Sequence, residues 1–196
     1  MRKWPKKIRK GYWFYPVEDF VYNKEYASKY AKYAKTHLGK DILKVRLDTV
    51  KDYKRVLDIG VGCGEFINNK PKSKGYDVNP YMIKKLKESK QWFDPYNKEL
   101  DKFDAVCFFD SFEHIEKPEI LLNKITNQAV VMAIPIFNSF RNVKESKHFR
   151  PDEHFHYFTL YGISTYMNDL GFEMKKAHSR EIWLGREAIW TFTFTR

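Results

Sequence analysis

Apolar and polar positions follow two regimes along this chain. From residue 51 onward, short β-branched or aromatic runs at 55–59, 74–78, 104–109 and 128–134 are separated by helical stretches at 64–69, 80–89 and 118–126. A further short strand is expected near 91–93. Alternation of this kind predicts a parallel sheet covered by helices on both faces. Asn79-Pro80 marks a helix start, because proline suits the first helical position. After Pro135 a polar and aromatic segment runs to Phe158 without an apolar period. Thr159–Leu170 then reads as a helix with Thr159 as N-cap and Gly171 as its stop. Two last strands, at 172–178 and 187–194, are expected to close the sheet as an antiparallel hairpin.

The first fifty residues differ. Tyr26, Tyr30 and Tyr33 recur at spacings of four and three, which puts them on one face of a helix from Asn23 to about His37. That face reads as packing in the first instance, with a lid over a ligand site as the alternative. Gly39 reads as the C-terminal stop of this helix, and Asp41–Lys51 as a second helix. Residues 1–22, basic and aromatic with Pro5 and Pro16, read as an extended arm.

With 196 residues, 43% of them apolar and 31% charged, the chain has the makings of one well-buried core. Residues 51–196 form the body of the expected domain and 1–50 its extension. No apolar run approaches the roughly 20 residues that span a bilayer. The basic N-terminus lacks the apolar stretch of a secretory signal. Cys63 and Cys107 make no disulfide framework, and the cytoplasm is the expected compartment. The net charge of +11 raises the question of a polyanionic partner. Much of it sits in Lys84, Lys85, Lys87 and Lys90, on what should be a solvated helix face. The densest cluster is Met1–Lys10, with six basic residues among ten. A nucleic-acid partner is therefore admitted but not favoured, and oligomeric state is left open.

Chemistry concentrates in two segments. Arg55-Val56-Leu57-Asp58-Ile59 runs into Gly60-Val61-Gly62-Cys63-Gly64, and a second short run ends at Asp77, 17 positions after Gly60. Alternating glycines let a backbone turn sharply beneath a ligand. An acid after the second strand suits a pair of ribose hydroxyls. The spacing G-x-G-x-G departs from the dinucleotide pattern G-x-G-x-x-G, and Asp58 is ill placed for a diphosphate but well placed for a cationic, amine-bearing ligand. Val56–Phe66 and Asp77 together resemble motifs I and II of the class I S-adenosylmethionine-dependent methyltransferases. Phe103–Ile115, with Asp110-Ser111-Phe112-Glu113-His114 at its end, resembles that family's fourth strand and its continuation.

The resemblance, covering about residues 50–195, implies a Rossmann-like α/β sandwich with a mostly parallel, seven-stranded sheet and S-adenosylmethionine as cofactor. Carried over onto this sequence, it puts Asp58, Gly60, Gly62 and Gly64 around the amino-acid end of the cofactor. Asp77 falls on the ribose, Val78 and Asn79 beside the adenine, and Asp110, Ser111 and Phe112 on the methionine side. Asp94 or Phe93 meets the adenine edge, or Asp94 is a turn residue only. A base is needed only where the acceptor must lose a proton, and histidine suits that task near neutral pH. His114 is one candidate, with a capping role as the alternative. Glu153-His154-Phe155-His156-Tyr157-Phe158-Thr159 resembles a stretch found before the last helix of related small methyltransferases, which brings in His154 and His156. With His148, these residues face the methyl and the acceptor, anchor a loop, or bind a metal; no metal is the reading adopted. The acceptor is expected to be a small molecule, a sugar or similar. Asp110-Ser111-Phe112-Glu113 has no proline pair for stacking an extruded base, and neither cysteine lies in a Pro-Cys pair after the fourth strand. The rivals are a nicotinamide-dependent oxidoreductase, a nucleic-acid methyltransferase, or a methyltransferase-like module that binds nucleic acid or protein through the basic arm.

Overall fold

The computed structural model describes residues 4–17 and 20–196. The chain opens with a hairpin of β1 (Lys6–Arg9) and β2 (Tyr12–Phe14), followed by helices α1 (Lys24–Ala34) and α2 (His37–Thr49). Next come β3 (Val56–Ile59), α3 (Glu65–Asn68), β4 (Lys74–Tyr76), α4 (Pro80–Glu88) and β5 (Ala105–Phe109). The second half holds α5 (Glu119–Leu122), β6 (Ala129–Pro135), α6 (Phe140–Glu145), β7 (His156–Phe158) and α7 (Leu160–Asp169). It ends with β8 (Glu173–His178), α8 (Arg180–Trp183) and β9 (Ile189–Thr195).

Buried, β-branched and aromatic strands order the central sheet as β4-β3-β5-β6-β9-β8. The first four are parallel, and β9 runs antiparallel to both of its neighbours, β6 and β8. Successive residues of a strand point to opposite faces. Leu57, Val106, Phe108, Val130 and Met132 pack on one side, while Val56, Ala105, Cys107, Val131 and Ala133 pack on the other. Both faces are covered, which is why these strands read as continuous apolar runs. Five of the helices begin on side-chain caps: Asn23, Thr36, Asn79, Ser139 and Thr159 each accept a backbone N–H from the first turn. No described helix is long and apolar enough to cross a membrane.

Four expectations change. The sheet has six strands among the described residues, because the run at 91–93 contributes a single parallel bridge, Gly75 to Trp92, before Asp94 turns the chain. The segment read as an extended arm is a hairpin: β2 pairs antiparallel with β7, joining Tyr12 to Phe158 in a three-stranded second sheet. Residues 1–3 of the basic cluster lie outside the described residues. Gly39 does not end α1; it lies in the first turn of α2, where it donates to the Thr36 hydroxyl. The stretch 136–158 contains α6 and β7.

Candidate functional site

The carboxyl ends of β3, β4 and β5 meet at one rim, where open parallel sheets bind ligands. As β3 ends, Gly60 (φ 79°) and Gly62 (φ 58°) take left-handed conformations that favour glycine. They serve different purposes. A Cβ on Gly60 would lie 2.5 Å from the Ser111 Cβ, and Ser111 donates its hydroxyl to the Ile59 carbonyl, so turn and β5 are pressed together there. A Cβ on Gly62 would meet nothing within 4 Å, because that side of the turn opens on the cavity. Gly60→Ala is therefore expected to lower stability by about 2–3 kcal/mol, combining overpacking and a strained φ. Gly62→Ala should cost about 1 kcal/mol for the φ alone and act mainly on ligand affinity. Thermal melts beside binding titrations separate the two; equal effects from both variants would contradict this division.

Asp77, 7% exposed, fixes the same turn from β4. Its carboxylate accepts from Gly62 N (3.0 Å) and Asn79 N (2.8 Å), which orients it at the edge of the cavity. Asn79 is occupied at both ends: its Oδ1 caps α4 through Tyr81 N, and its Nδ2 donates to the Asn23 carbonyl at the entry to α1. That last bond tethers α1 above the rim.

Beneath α1 lies a cavity of about 420 Å³. Tyr22, Tyr26, Tyr30 and Tyr33 form its roof, and Tyr76, Val78 and Tyr96 one flank, with the two tyrosine rings edge to face at 5.4 Å. Glu113, His114, His154 and Arg150 line the opposite end. Asp58, 2% exposed, faces the cavity floor with its Oδ1 unpartnered, and burial pushes its carboxyl up to about 8 against the opposing pull of Arg46. Asp110 (φ 55°) is engaged by Arg46 Nη2 (2.5 Å) and by Arg186 (2.9 and 3.0 Å). The same two guanidiniums hold Glu181, which has no exposed surface. Burial would raise the Asp110 carboxyl, but Arg186 and Arg46 outweigh it and hold it well below the usual carboxylate range.

A family described as a methyltransferase domain matches residues 27–177 of the chain. The chain belongs to the class I S-adenosylmethionine-dependent methyltransferases. No curated protein matches it by sequence. Among solved structures, a possible histamine N-methyltransferase from Thermotoga maritima superposes with a TM-score of 0.64 at 17% identity, over 87% of this chain and 96% of that one. An N-methyltransferase of Burkholderia thailandensis, solved with didemethyltoxoflavin and S-adenosylhomocysteine, gives 0.58 at 12% identity, over 99% of both chains. A magnesium protoporphyrin IX methyltransferase from Synechocystis, with bound S-adenosylhomocysteine, gives 0.58 at 13%, over 81% of this chain and 84% of that one. At these identities the likeness is one of fold.

In this methyltransferase the cavity gathers Asp58, Gly60, Gly62, Asp77, Val78, Asn79, Asp110, Ser111, His114 and His154. Gly64, with φ 82°, starts α3 behind the turn and does not line the cavity. Phe112 is fully buried away from it, packed on Phe108 and Phe158, because the 3-10 turn after β5 rotates it into the core. His156 is also removed: its Nδ1 meets the Tyr12 hydroxyl at 2.8 Å and its Nε2 the Ile115 carbonyl at 2.7 Å. Burial takes its imidazole down to about 4. Asp94 closes a turn on Tyr96 N and Asn97, while Phe93 is core; Tyr96 holds the flank instead. Sequence reasoning missed Tyr22, Tyr96, Arg46, Arg150 and Arg186. The three arginines carry no local pattern and come from three separate places: α2, the loop after α6 and the loop after α8.

Proposed function

We propose that this methyltransferase carries the methyl group of S-adenosylmethionine to a small-molecule acceptor held under α1. The observation that carries this reading is the continuity of the cavity from Asp58 and Asp77 to His114 and His154 beneath one tyrosine roof. A partly enclosed space of about 420 Å³ suits a small ligand. Two features fit the cofactor: the unpartnered Asp58 oxygen suits its ammonium group, and the empty side of Gly62 leaves room for its approach. Asp77 would receive the ribose hydroxyls, and Tyr76, Val78 and Tyr96 would flank the adenine.

When bound, the cofactor supplies a methyl already activated on a sulfonium. Alignment then provides much of the acceleration. Tyr22, Tyr26 and Tyr30 exclude water and position the acceptor, and His114 and His154 stand where its proton would leave. Burial takes His114 down to about 4, so it is neutral at pH 7, and its Nδ1 meets the Tyr22 hydroxyl at 3.1 Å.

The test is calorimetric titration with S-adenosylmethionine and S-adenosylhomocysteine, with NAD as control. Saturable binding of the first two and none of NAD is expected. Asp58 adds a pH dependence. With its carboxyl at about 8 in the free protein, it is mostly protonated at pH 7, and an ammonium ligand favours the carboxylate. Binding should release a proton, and affinity should rise between pH 6 and 8 by up to tenfold per unit. Above about 8 the gain ends, because the ligand's own amino group, at about 7.7–8.0, loses its charge. Titrations at pH 7 in buffers of different ionisation enthalpy count the proton; no release, or release that persists in Asp58→Asn, would contradict this role.

A further inference from the structure

At the acceptor end, the ligand atoms of Glu113, His114 and His154 all lie within 4.8 Å of one another. Glu113 is 3% exposed and its Oε2 has no partner; His154 is 2% exposed and its Nδ1 has none. The two imidazole rings stand 4.5 Å apart and nearly perpendicular, at 80°, so that they converge without stacking. Unpaired polar atoms in such a place are costly unless something satisfies them.

The neighbouring groups are already committed. Glu153 accepts from Arg150 and from the Tyr26 hydroxyl. His148 Nε2 meets the Glu187 carbonyl at 2.8 Å. Both ring nitrogens of His156 are bonded, and Asp110 is held by two arginines. The histidine group that stands out in the sequence is thus dispersed, with His154 alone turned toward this spot, and its companions come from the turn after β5.

We propose that Glu113, His114 and His154 form a binding site for a divalent first-row metal ion at the acceptor end of the cavity. Two imidazoles and a carboxylate suit zinc, cobalt, manganese or ferrous iron. Ligand atoms about 2.0–2.2 Å from one ion lie roughly 3–4 Å apart, so closing the site asks for side-chain movement of about 1 Å. The Arg150 guanidinium, which lines the same end of the cavity, is paired with Glu153. All three ligands line the cavity, so the ion's remaining positions face the acceptor. Resting on the methyl-transfer reading, the acceptor class this implies is one with a hydroxyl oxygen, which a bound ion would hold and acidify.

Metal binding itself does not depend on that reading and is measured with the ion alone. Full-length protein, freed of metal by chelation and checked by thermal melting, is titrated with cobalt(II) and zinc(II). Cobalt is followed by its visible absorption and zinc by calorimetry. One ion per chain at micromolar affinity or better is expected, with a rise in Tm on saturation. Glu113→Gln, close to isosteric, and His154→Asn should each weaken binding at least 100-fold, while His37→Asn, at an exposed surface histidine, leaves it unchanged. A folded wild type without saturable binding overturns the site, as does binding that survives both substitutions. A metal-binding protein that then methylates only amine acceptors keeps the site and overturns the acceptor class.

Discussion

Arg46→Leu is expected to cost about 3–5 kcal/mol of folding stability, the largest effect of any single change outside the hydrophobic core. Arg46 and Arg186 each bridge Asp110 and Glu181, and the arrangement is neutral with all four charges present. The Glu181 side chain has no solvent contact, and the two arginine side chains are 14% and 16% exposed. Removing Arg46 leaves two carboxylates to share one guanidinium, and water cannot reach one of them, Glu181. Urea denaturation of the single variant, beside Arg46→Leu/Glu181→Leu, tests the point. The double variant should recover part of the loss, since it removes a charge of each sign. A single-variant cost below about 1 kcal/mol would mean the network behaves as an exposed ion pair. The acid limb follows from the same geometry. Asp110 titrates lower in the folded chain than in the unfolded one, so its contribution is present above about pH 4 and disappears as pH falls further.

Asp77→Asn should reduce affinity for S-adenosylmethionine about 100-fold, or about 2.7 kcal/mol, while lowering stability by about 1 kcal/mol. The asymmetry comes from the two tasks of this carboxylate. Toward the protein it accepts from Gly62 N and Asn79 N, and an asparagine oxygen still serves one of them. Toward the ligand it would accept from hydroxyls, where charge-assisted bonds are about twice as strong as neutral ones. Asp77→Ala removes both backbone partners and should lose more stability than the asparagine variant. Calorimetry beside thermal melts decides: equal free-energy losses in binding and folding for Asp77→Asn would make Asp77 an anchor of the glycine turn and no more.

The central sheet was legible because its strands are buried on both faces, so that Val56–Ile59, Ala105–Phe109 and Ala129–Pro135 stand out as uninterrupted apolar runs. Glycine spacing and the acid 17 residues on located the rim for the same local reason. What escaped was non-local. Lys6–Arg9 is almost wholly solvated and carries no alternation, so nothing in it announces a strand until β2, itself held by the distant β7, supplies the partner. His156 owes its structural role to Tyr12, 144 residues away, and without that contact it reads like His154. Gly39 has the look of a stop signal, yet it is small because α1 ends against it: a Cβ there would lie 2.3 Å from the Tyr33 carbonyl. The four-residue α8 is too short to show a period, and with it went the Glu181 end of the charge network.

The pairing of Tyr12 with Phe158 has a consequence for how the chain is assembled. Everything between them must be made before β2 acquires its second neighbour, β7. During synthesis the hairpin emerges early and waits, kept in water by Lys6, Lys7, Arg9 and Lys10, while β3, β4 and β5 condense around their own contacts. Long-range pairings of this kind form late because the intervening loop must first be closed. A ribosome-stalled chain ending near residue 135 would therefore carry the glycine turn and Asp77 but no acceptor wall, since His154 and β7 have yet to appear. The N-terminal hairpin and β7 come together late, and the tyrosine roof settles when they do.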